Sequence, residues 1–539
     1  MPRFSICIPV RNGAKYLAHT LRLCIEQQYF DDYEIVVSDN QSAEDIKGVA
    51  DSFNNPKIKY VRTPEYIGMG ANFDYALDNA CGEYKLIVGA DDGLSRYALY
   101  SLDKAIKITG ERLIMWQRSE YYWPDHHNLQ NKICMYSNLG QDLFCGEDTV
   151  KSYIRFFGGD PPHIYDSAVM SSELIKEVEE KTGRKLHESF LADLYQALIS
   201  AMVAKRYVKL RLPLSLYAEH AGSASATIEN SLTDEYISRR HSADEIEKLD
   251  ARKISPRSFF KKQFHFFLQK YLILCQAMDL FPEKIDLTEK DINLKKVINL
   301  LMTEYAYRAS ISHKNEEYEK AIELIWDDIQ EYGDESLIKW FDGRFLADRD
   351  DNRYISRTRN YIDSDEPRKY RFMMNCNNFN AYNIYDAMIL WDKANLSKTI
   401  IDEYFRKFEY AWKRGKETTE IIRGKMPSGG RLGVYGAKLD GVRLVRLLRY
   451  FIEDFDFDIV LFDQSAKKEE TKLSPFWWDY KVVSPEKLSR EKIDLMTVSL
   501  YRYDAEAYRL IEASGCKAEV VKLYEPNEVN WLAVLSDAK

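Results

Sequence analysis

Glu83-Tyr84-Lys85-Leu86-Ile87-Val88-Gly89-Ala90-Asp91-Asp92-Gly93-Leu94 is a short apolar run that stops on two adjacent carboxylates and a glycine. Residues 86–88 read as a buried strand of a parallel sheet, because such strands are apolar on both faces. Gly89, Ala90 and Gly93 keep the backbone narrow at its carboxyl end. That end is where open α/β sheets bind ligands. Two acids there suit a hard divalent cation whose shell is completed by phosphate oxygens. A plain strand-to-turn junction uses the same residue types.

Working outward, residues 4–10 form a strand that ends at Arg11-Asn12-Gly13. Residues 14–28 follow as an amphipathic helix with Leu17, Leu21, Cys24 and Ile25 on one face. A second strand over 33–37 ends at Ser38-Asp39-Asn40-Gln41-Ser42, with a helix over 43–53. A third strand spans 57–61, and a helix over 72–80 leads into the central run. This alternation is the βαβ pattern of a parallel sheet with crossover helices. Three strand ends thus aim Arg11-Asn12, Asp39-Asn40 and Asp91-Asp92 at one edge. A carboxylate such as Asp39 suits a ribose hydroxyl or a base edge. Gly68 and Gly70 allow close backbone approach. The GxGxxG fingerprint is missing after the first strand, which argues against an NAD enzyme in this half.

Four segments in order, SICIPVRNGAKYL (5–17), EIVVSDNQSAED (34–45), GMGANFDYALDNACGEY (68–84) and VGADDGL (88–94), resemble the family-two glycosyltransferases of the GT-A fold. The resemblance covers about the first 225 residues. It implies a nucleotide-diphosphate sugar donor, an Mg²⁺ or Mn²⁺ ion, and inversion at the anomeric carbon. It also implies that Pro9, Val10, Arg11, Asn12 and Asp39 line the nucleoside pocket, with Gly68, Asn72 and Asp91 beside it. Asp91 matches the second acid of the family's Asp-x-Asp metal motif, and Asp92 adjoins it. Gly89 stands where the first acid belongs, which puts metal dependence in doubt.

Leu191-Ala192-Asp193 resembles the Glu-Asp motif that carries the general base, with Ala192 in place of Glu and Asp193 retained. A base is chemically required, since a hydroxyl attacks well only as its proton leaves. Meanwhile a metal and nearby donors offset charge on the departing diphosphate. Residues 212–225 resemble the family's closing motif, in which a Tyr-x-x-His segment (Tyr217 to His220) packs over the donor. His220 would then touch the metal or the diphosphate. The loop 158–165, with His163 and Tyr165, is the expected acceptor wall. Trp116, Tyr121, Tyr122 and Trp123 either add sugar-stacking faces or pack internally.

The bulk properties agree. A chain of 539 residues predicts roughly three domains. A net charge of −9 argues against a broad basic nucleic-acid face. The eight cysteines make no CxxC pair, so neither a zinc knuckle nor a disulfide framework is indicated and a reducing cytosol fits. Met1-Pro2-Arg3 leads straight into a strand without a signal peptide. The apolar stretch 264–281 is broken by Gln269, Lys270 and Gln276 and falls short of a membrane span. The expected location is cytoplasmic, with room for peripheral contact at the inner membrane face.

From residue 229 helical periodicity takes over. Helices are expected over 256–278, 289–310, 318–332, 381–390 and 399–412, and a polar run covers 348–366. Basic clusters at 252–262 and 406–416 meet anionic lipid or are solvated helix faces. After the linker at 426–430, GVYGAKLDG (433–441), LFDQS (461–465) and VVKLYE (520–525) resemble the small Rossmann-like domains appended to bacterial polysaccharide-biosynthesis enzymes and some sugar methyltransferases.

The expectation is therefore an α/β protein in three parts: a GT-A domain (1–228), a helical region (229–425) and a Rossmann-like domain (426–539). The last has a structural or oligomerising role first and a nucleotide-binding role second. The expected activity is inverting, metal-assisted transfer from a UDP-sugar to a hydroxyl of a bacterial surface glycan or lipid-linked glycan, with Asp193 as base. The alternatives are a bifunctional enzyme whose tail modifies a sugar, and a non-catalytic glycan-binding scaffold. Homo-oligomerisation fits any of them.

Overall fold

The computed structural model describes residues 1–126, 129–136, 143–156, 161–189, 191–222, 266–285, 292–312, 316–346, 370–436, 439–464, 466, 471–473, 480–501, 504–525 and 528–535. The glycine loop at 158–160, the end of the closing motif, the basic cluster at 252–262 and the polar run 348–366 lie outside these residues.

Among the described residues, eleven strands form the first sheet: β1 (Phe4–Val10), β2 (Tyr33–Asp39), β3 (Ile58–Arg62), β4 (Tyr84–Ile87), β5 (Gly93–Leu94), β6 (Leu113–Tyr122), β7 (Lys132–Tyr136), β8 (Leu143–Cys145), β9 (Ala168–Ser171), β10 (Arg206–Glu219) and β11 (Tyr370–Asn375). The backbone order is β11-β7-β6-β9-β4-β1-β2-β3, with β10 paired to β5, β6 and β8. Strands β4, β1, β2 and β3 run parallel, and Val10 lies opposite Asp39, which in turn lies opposite Arg62. All seven residues of β1 are buried, because helices cover both faces. Phe4, Ile6, Ile8 and Val10 join one core, while Cys7 with Val36 and Ile87 joins the other.

The helices that position the site are α1 (Ala14–Ile25), α2 (Ile46–Ser52), α3 (Met69–Asp78), α4 (Ala98–Thr109), α5 (Gly146–Phe156), α6 (Ser172–Thr182) and α7 (Ala192–Ala204). Farther on come α8 (Phe266–Leu280), α9 (Leu294–Ser312), α10 (Glu316–Tyr332), α11 (Glu335–Phe341), α12 (Ile384–Asn395) and α13 (Lys398–Lys425). The stretch expected to be wholly helical contains β11, which pairs with β7 at the edge of the first sheet. Helix α12 also returns to that sheet. Asp392 accepts from Ser95 Oγ at 2.6 Å, and Trp391 donates to the Pro213 carbonyl at 3.2 Å.

The second sheet comprises β12 (Arg431–Tyr435), β13 (Asp458–Phe462), β14 (Thr471–Leu473), β15 (Tyr480–Val483), β16 (Leu495–Val498) and β17 (Glu519–Lys522), in the order β14-β15-β13-β12-β16-β17. Apart from β14 all are parallel, and their order is that of doubly wound α/β sheets. Helices α14 (Leu439–Phe451), α15 (Asp504–Ala513) and α16 (Trp531–Leu535) accompany it. One core runs from Phe4 through Phe405, Phe408 and Trp412 of α13 to Leu444, Leu448 and Leu535, so the two sheets share apolar packing. Arg449 of α14 grips Asp148 with two hydrogen bonds, at 2.7 and 2.5 Å.

Candidate active site

The turn after β4 is tight, with the Asp92 N–H donating to the Gly89 carbonyl at 3.1 Å. It folds the Asp92 side chain back under the turn, where it is buried. Its Oδ2 accepts from the Gly89 N–H at 3.0 Å and from the Tyr165 hydroxyl at 2.9 Å, while Oδ1 accepts from the Ala218 N–H at 2.6 Å. This accounts for the glycine at position 89. A Cβ there would lie 2.1 Å from Asp92 Oδ2 and 2.3 Å from the Tyr165 hydroxyl. The space that a first acid's side chain would enter is filled by Asp92. The expectation that Asp92 ligates a metal is therefore corrected: its oxygens clamp β4 to β10 and to the loop before β9.

Asp91 remains beside it, with His220 Nε2 3.5 Å from its Oδ2. Burial and the neighbouring Asp92 push the Asp91 pKa well above the carboxylate range. His220 stacks on Tyr16 of α1 at 4.2 Å, and burial pushes its pKa down. Its Nδ1 accepts from the Gly222 N–H at 3.0 Å, so a neutral ring carries its proton on Nε2, facing Asp91. That tautomer makes Nε2 a donor to Asp91 or to a diphosphate oxygen rather than a metal ligand. Among the described residues no three His, Cys, Asp or Glu side chains are arranged to hold a metal. The donor set fits a cation that takes one protein carboxylate, from Asp91, and most of its shell from phosphate and water.

At the β1 and β2 ends the turns are tied together. Asn12, with φ of 54°, donates its N–H to Ser42 Oγ at 3.0 Å and accepts from the Ala43 N–H at 2.8 Å. Pro9 and Val10 are interior strand residues, and the Val10 carbonyl accepts from the Asn40 N–H at 2.9 Å. Arg11 is exposed, with its guanidinium 3.9 Å over the Tyr66 ring. Asn40 fixes the loop carrying Tyr66 through two hydrogen bonds to Ile67, at 2.6 and 3.0 Å.

Asp39, expected to meet a ribose or base, has no exposed side-chain surface. Its carboxylate accepts from the Ser42 N–H, the Tyr60 hydroxyl and Arg62 Nη1, at 2.8, 2.7 and 2.6 Å. Asn72 also departs from expectation. It is buried behind the edge, where its Oδ1 accepts from Ser38 Oγ at 2.7 Å, and so it braces α3 against β2. Gly68 caps α3.

A Cβ on Gly70 would lie 2.8 Å from the His187 carbonyl and 3.0 Å from Ala192 Cβ. The first turns of α3 and α7 therefore touch, with Asp193 in the first turn of α7. Asp193 is exposed, and its carbonyl lies 3.2 Å from His163 Nδ1. Tyr165 stacks on Phe73 at 5.4 Å while it donates to Asp92. Trp116, Tyr121, Tyr122 and Trp123 are all buried, so of their two expected roles the packing one holds.

Two residues escaped the sequence reading. Asp166, with φ of 62°, is 1% exposed, and no donor reaches either carboxyl oxygen. Burial and the facing Asp92 push its pKa well up. Arg62 covers Asp39. Neither has a local signature, since one arrives on a distant loop and the other by strand pairing.

Residues 5–158 match the family described as Glycosyl transferase family 2. That segment is less than a third of the chain, and the likeness to glycosyl transferase family 2 is a statement about it alone. The matched segment contains the three strand ends and stops short of Tyr165, Asp193 and His220. Two curated relatives resemble part of this chain. The GalNAc(5)-diNAcBac-PP-undecaprenol beta-1,3-glucosyltransferase of Campylobacter jejuni is 34% identical over 105 residues, 19% of this chain and 34% of that protein. Abequosyltransferase RfbV of Salmonella typhimurium is 34% identical over 99 residues, 18% of this chain and 30% of that protein. The chain thus spans about a third of the length of these relatives. A solved structure of S. aureus TarS (residues 1–349) with UDP-GlcNAc aligns at a TM-score of 0.33 and 17% identity, covering 59% of this chain and 89% of that one.

Proposed function

We propose that this protein is an inverting glycosyltransferase that moves a sugar from a nucleoside-diphosphate carrier, uridine diphosphate, to a hydroxyl of a lipid-linked or surface glycan. The observation that carries the reading is the family match over 5–158, the segment whose strand ends bring Arg11, Asp39 and Asp91 to one edge. The undecaprenol-linked substrate named for the Campylobacter relative supports the acceptor class. The described residues contain no helix long and apolar enough to cross a membrane, and a peripheral approach to a lipid-linked acceptor fits that.

In this reading Asp193 takes the acceptor proton as the hydroxyl oxygen bonds to the anomeric carbon. The bond to the diphosphate breaks on the opposite face, so configuration inverts. His163, held at the Asp193 carbonyl, and Tyr165 border the acceptor. His220, oriented by Tyr16 and Gly222, directs Nε2–H toward the diphosphate beside Asp91. A Mg²⁺ or Mn²⁺ ion at Asp91 would offset charge on the leaving diphosphate. The second sheet, joined to the first by a shared core, serves as a rigid buttress.

The test is transfer from a panel of nucleotide sugars to a lipid-linked oligosaccharide, followed by Asp193→Asn. Losing the base should lower kcat by about 10²- to 10⁴-fold with donor affinity retained. An Asp193→Asn protein with full turnover would remove Asp193 from the mechanism. A wild type that transfers no sugar would favour a glycan-binding scaffold.

A further inference from the structure

Between Arg371 and Asp386 the chain carries no charged residue and five asparagines, at 375, 377, 378, 380 and 383. This stretch lies well beyond the segment matched by the family. It forms the end of β11, a single 3₁₀ turn (Cys376–Phe379) and the entry to α12. Within it Phe379 and Tyr382 are 55% and 52% exposed, and Met373 is 47% exposed. Single exposed apolar side chains are ordinary, but three between positions 373 and 382 make a patch. The loop that carries them is held from below. Asn375 caps the turn, its Oδ1 accepting from the Asn377 N–H at 3.1 Å. The side-chain amide of buried Asn131 donates to Asn377 Oδ1 and to the Ala381 carbonyl, at 2.7 and 2.8 Å. Asn383 caps α12 by accepting from the Asp386 N–H at 2.9 Å. Asn380 takes φ of 54°, which asparagine tolerates better than most side chains, and so turns the chain between the two rings. Three of the five asparagines thus hold the loop's shape. The side-chain amides of Asn378 and Asn380 are exposed and bond to no described residue. Cys376 and Ala381 lie in one core with Tyr16 and Trp123, and Tyr16 stacks on His220, so the loop has a fixed place on the flank of the candidate active site.

We propose that the loop from Asn378 to Tyr382 is a binding subsite for a neutral stretch of glycan, separate from the donor edge and from the wall at His163 and Tyr165. The choice of a glycan rests on the acceptor class proposed above. A pyranose ring has an apolar C–H face, which an exposed aromatic ring covers, and a belt of hydroxyls that both donate and accept. A primary amide matches that belt, because it offers two N–H donors beside an acceptor oxygen. Carboxylates and ammonium groups each offer only one of the two roles, and neither stands in this stretch. Their absence also sets the patch apart from a lipid-binding surface, where Lys or Arg beside the apolar residues meets anionic headgroups. Because the turn is already fixed, binding costs little in ordering the loop. A long acceptor held here stays beside the site between transfers.

The experiment is saturation-transfer NMR of the full chain with maltotetraose, mannotetraose and chitotetraose, each with and without UDP. It is run on wild type, Phe379→Ser, Tyr382→Ser and Asn380→Gly, the last keeping the positive φ while removing the amide. Wild type should saturate the ring C–H protons of at least one oligosaccharide, and UDP should not displace it. Each aromatic substitution should weaken that binding by about tenfold, and Asn380→Gly by about twofold to tenfold. Thermal melting with and without UDP should stay close to wild type in all three variants, because the substituted side chains are exposed. Oligosaccharide binding in a protein whose melting ignores UDP would support this site and sink the donor reading. No oligosaccharide binding, binding that UDP displaces, or binding that survives both aromatic substitutions would overturn the proposal, and a melting shift with UDP would leave the donor site standing. Co-sedimentation with phosphatidylglycerol vesicles that is lost in Phe379→Ser and Tyr382→Ser would overturn it in favour of a membrane contact.

Discussion

At the carboxyl end of the first sheet, β1 gives way to Arg11 and Asn12, β2 to Asp39 and Asn40, and β4 to the turn from Gly89 to Asp92. At the same end of the second sheet, β12 gives way to Gly436, β13 to Asp463 and β16 to Ser499 and Leu500. Both sheets reverse strand order there, where open α/β sheets place ligands. The first edge sets ionisable groups at its surface: Arg11, Arg62 and the partly exposed Asp91. The second closes on itself. Gly436 has φ of 105°, and a Cβ there would meet Ser499 Oγ at 2.7 Å and Leu500 Cδ2 at 2.8 Å. Ser499 Oγ donates to the Tyr435 and Gly436 carbonyls, at 3.1 and 2.9 Å. Gly441 lets α14 press onto the Gly436 carbonyl, 2.1 Å from where a Cβ would stand. In the second sheet Gly441 serves backbone-to-backbone contact and Gly436 a left-handed turn packed under Ser499 and Leu500; in the first, Gly89 makes room for the side chain of Asp92.

The sharpest way to break that contrast is Gly89→Asp, which restores the acid that the family motif calls for. Its side chain would collide with Asp92 and Tyr165 and bury a second carboxylate against the first. We expect a loss of about 3 kcal/mol or more in folding stability, together with loss of nucleotide binding. Gly89→Asp with Asp92→Gly exchanges the positions and should recover part of both. Thermal melting and UDP titration measure the pair. A Gly89→Asp protein as stable as wild type would mean that Asp92 does not own that space.

Gly436→Ala tests the other edge. An L-residue at φ of 105° is strained and meets Ser499, so stability should drop by about 1 to 3 kcal/mol. UDP affinity of the folded protein should stay within about twofold, since folding and binding at separate sites add independently. If UDP binding weakened with Gly436→Ala, the second edge would belong to the donor site and the contrast would fail.

How far these edges were legible follows from the range of the interactions. Residues 86–88 announce a parallel strand because both faces are buried, and glycines next to Asp91 and Asp92 mark its end. What Asp92 does there depends on Tyr165 and Ala218, 73 and 126 residues away. No spacing rule carries that information. Arg62 is a plain strand-end cation in the sequence, and its partner is set by β2–β3 register. Residues 116–123 resemble an exposed aromatic patch only while β6 lacks its neighbours β7, β9 and β10. The strand at 370–375 was hidden in the same way, since an edge strand takes its identity from the β7 edge it joins. Helix α13 was half seen: its periodic core at 399–412 was legible, while its extension to Lys425 depends on packing against α14.

The smallest effect lies where the two sheets meet. Glu111, just before β6, accepts from the Tyr450 hydroxyl of α14 at 2.8 Å and pairs with Arg206 at 3.0 Å. Burial raises its pKa above the ordinary 4.5, and Arg206 and Tyr450 only partly oppose that. The folded protein therefore holds this proton at pH values where the unfolded chain has released it. The unfolded state binds fewer protons in that window, so this group's contribution to stability is greatest below pH 4.5 and falls as pH rises through its folded value. Glu111→Gln keeps the acceptor for Tyr450 and removes the titration. At neutral pH its stability should differ from wild type by less than about 1 kcal/mol, because lost attraction to Arg206 and relief of a buried charge oppose each other. The difference between the two melting curves, followed from pH 4.5 to 7.5 (about the span of interest), should shift in favour of the variant as pH rises. A difference that shifts toward wild type would mean that Arg206 outweighs burial, and that the junction between the sheets is held by charge rather than by the apolar core around it.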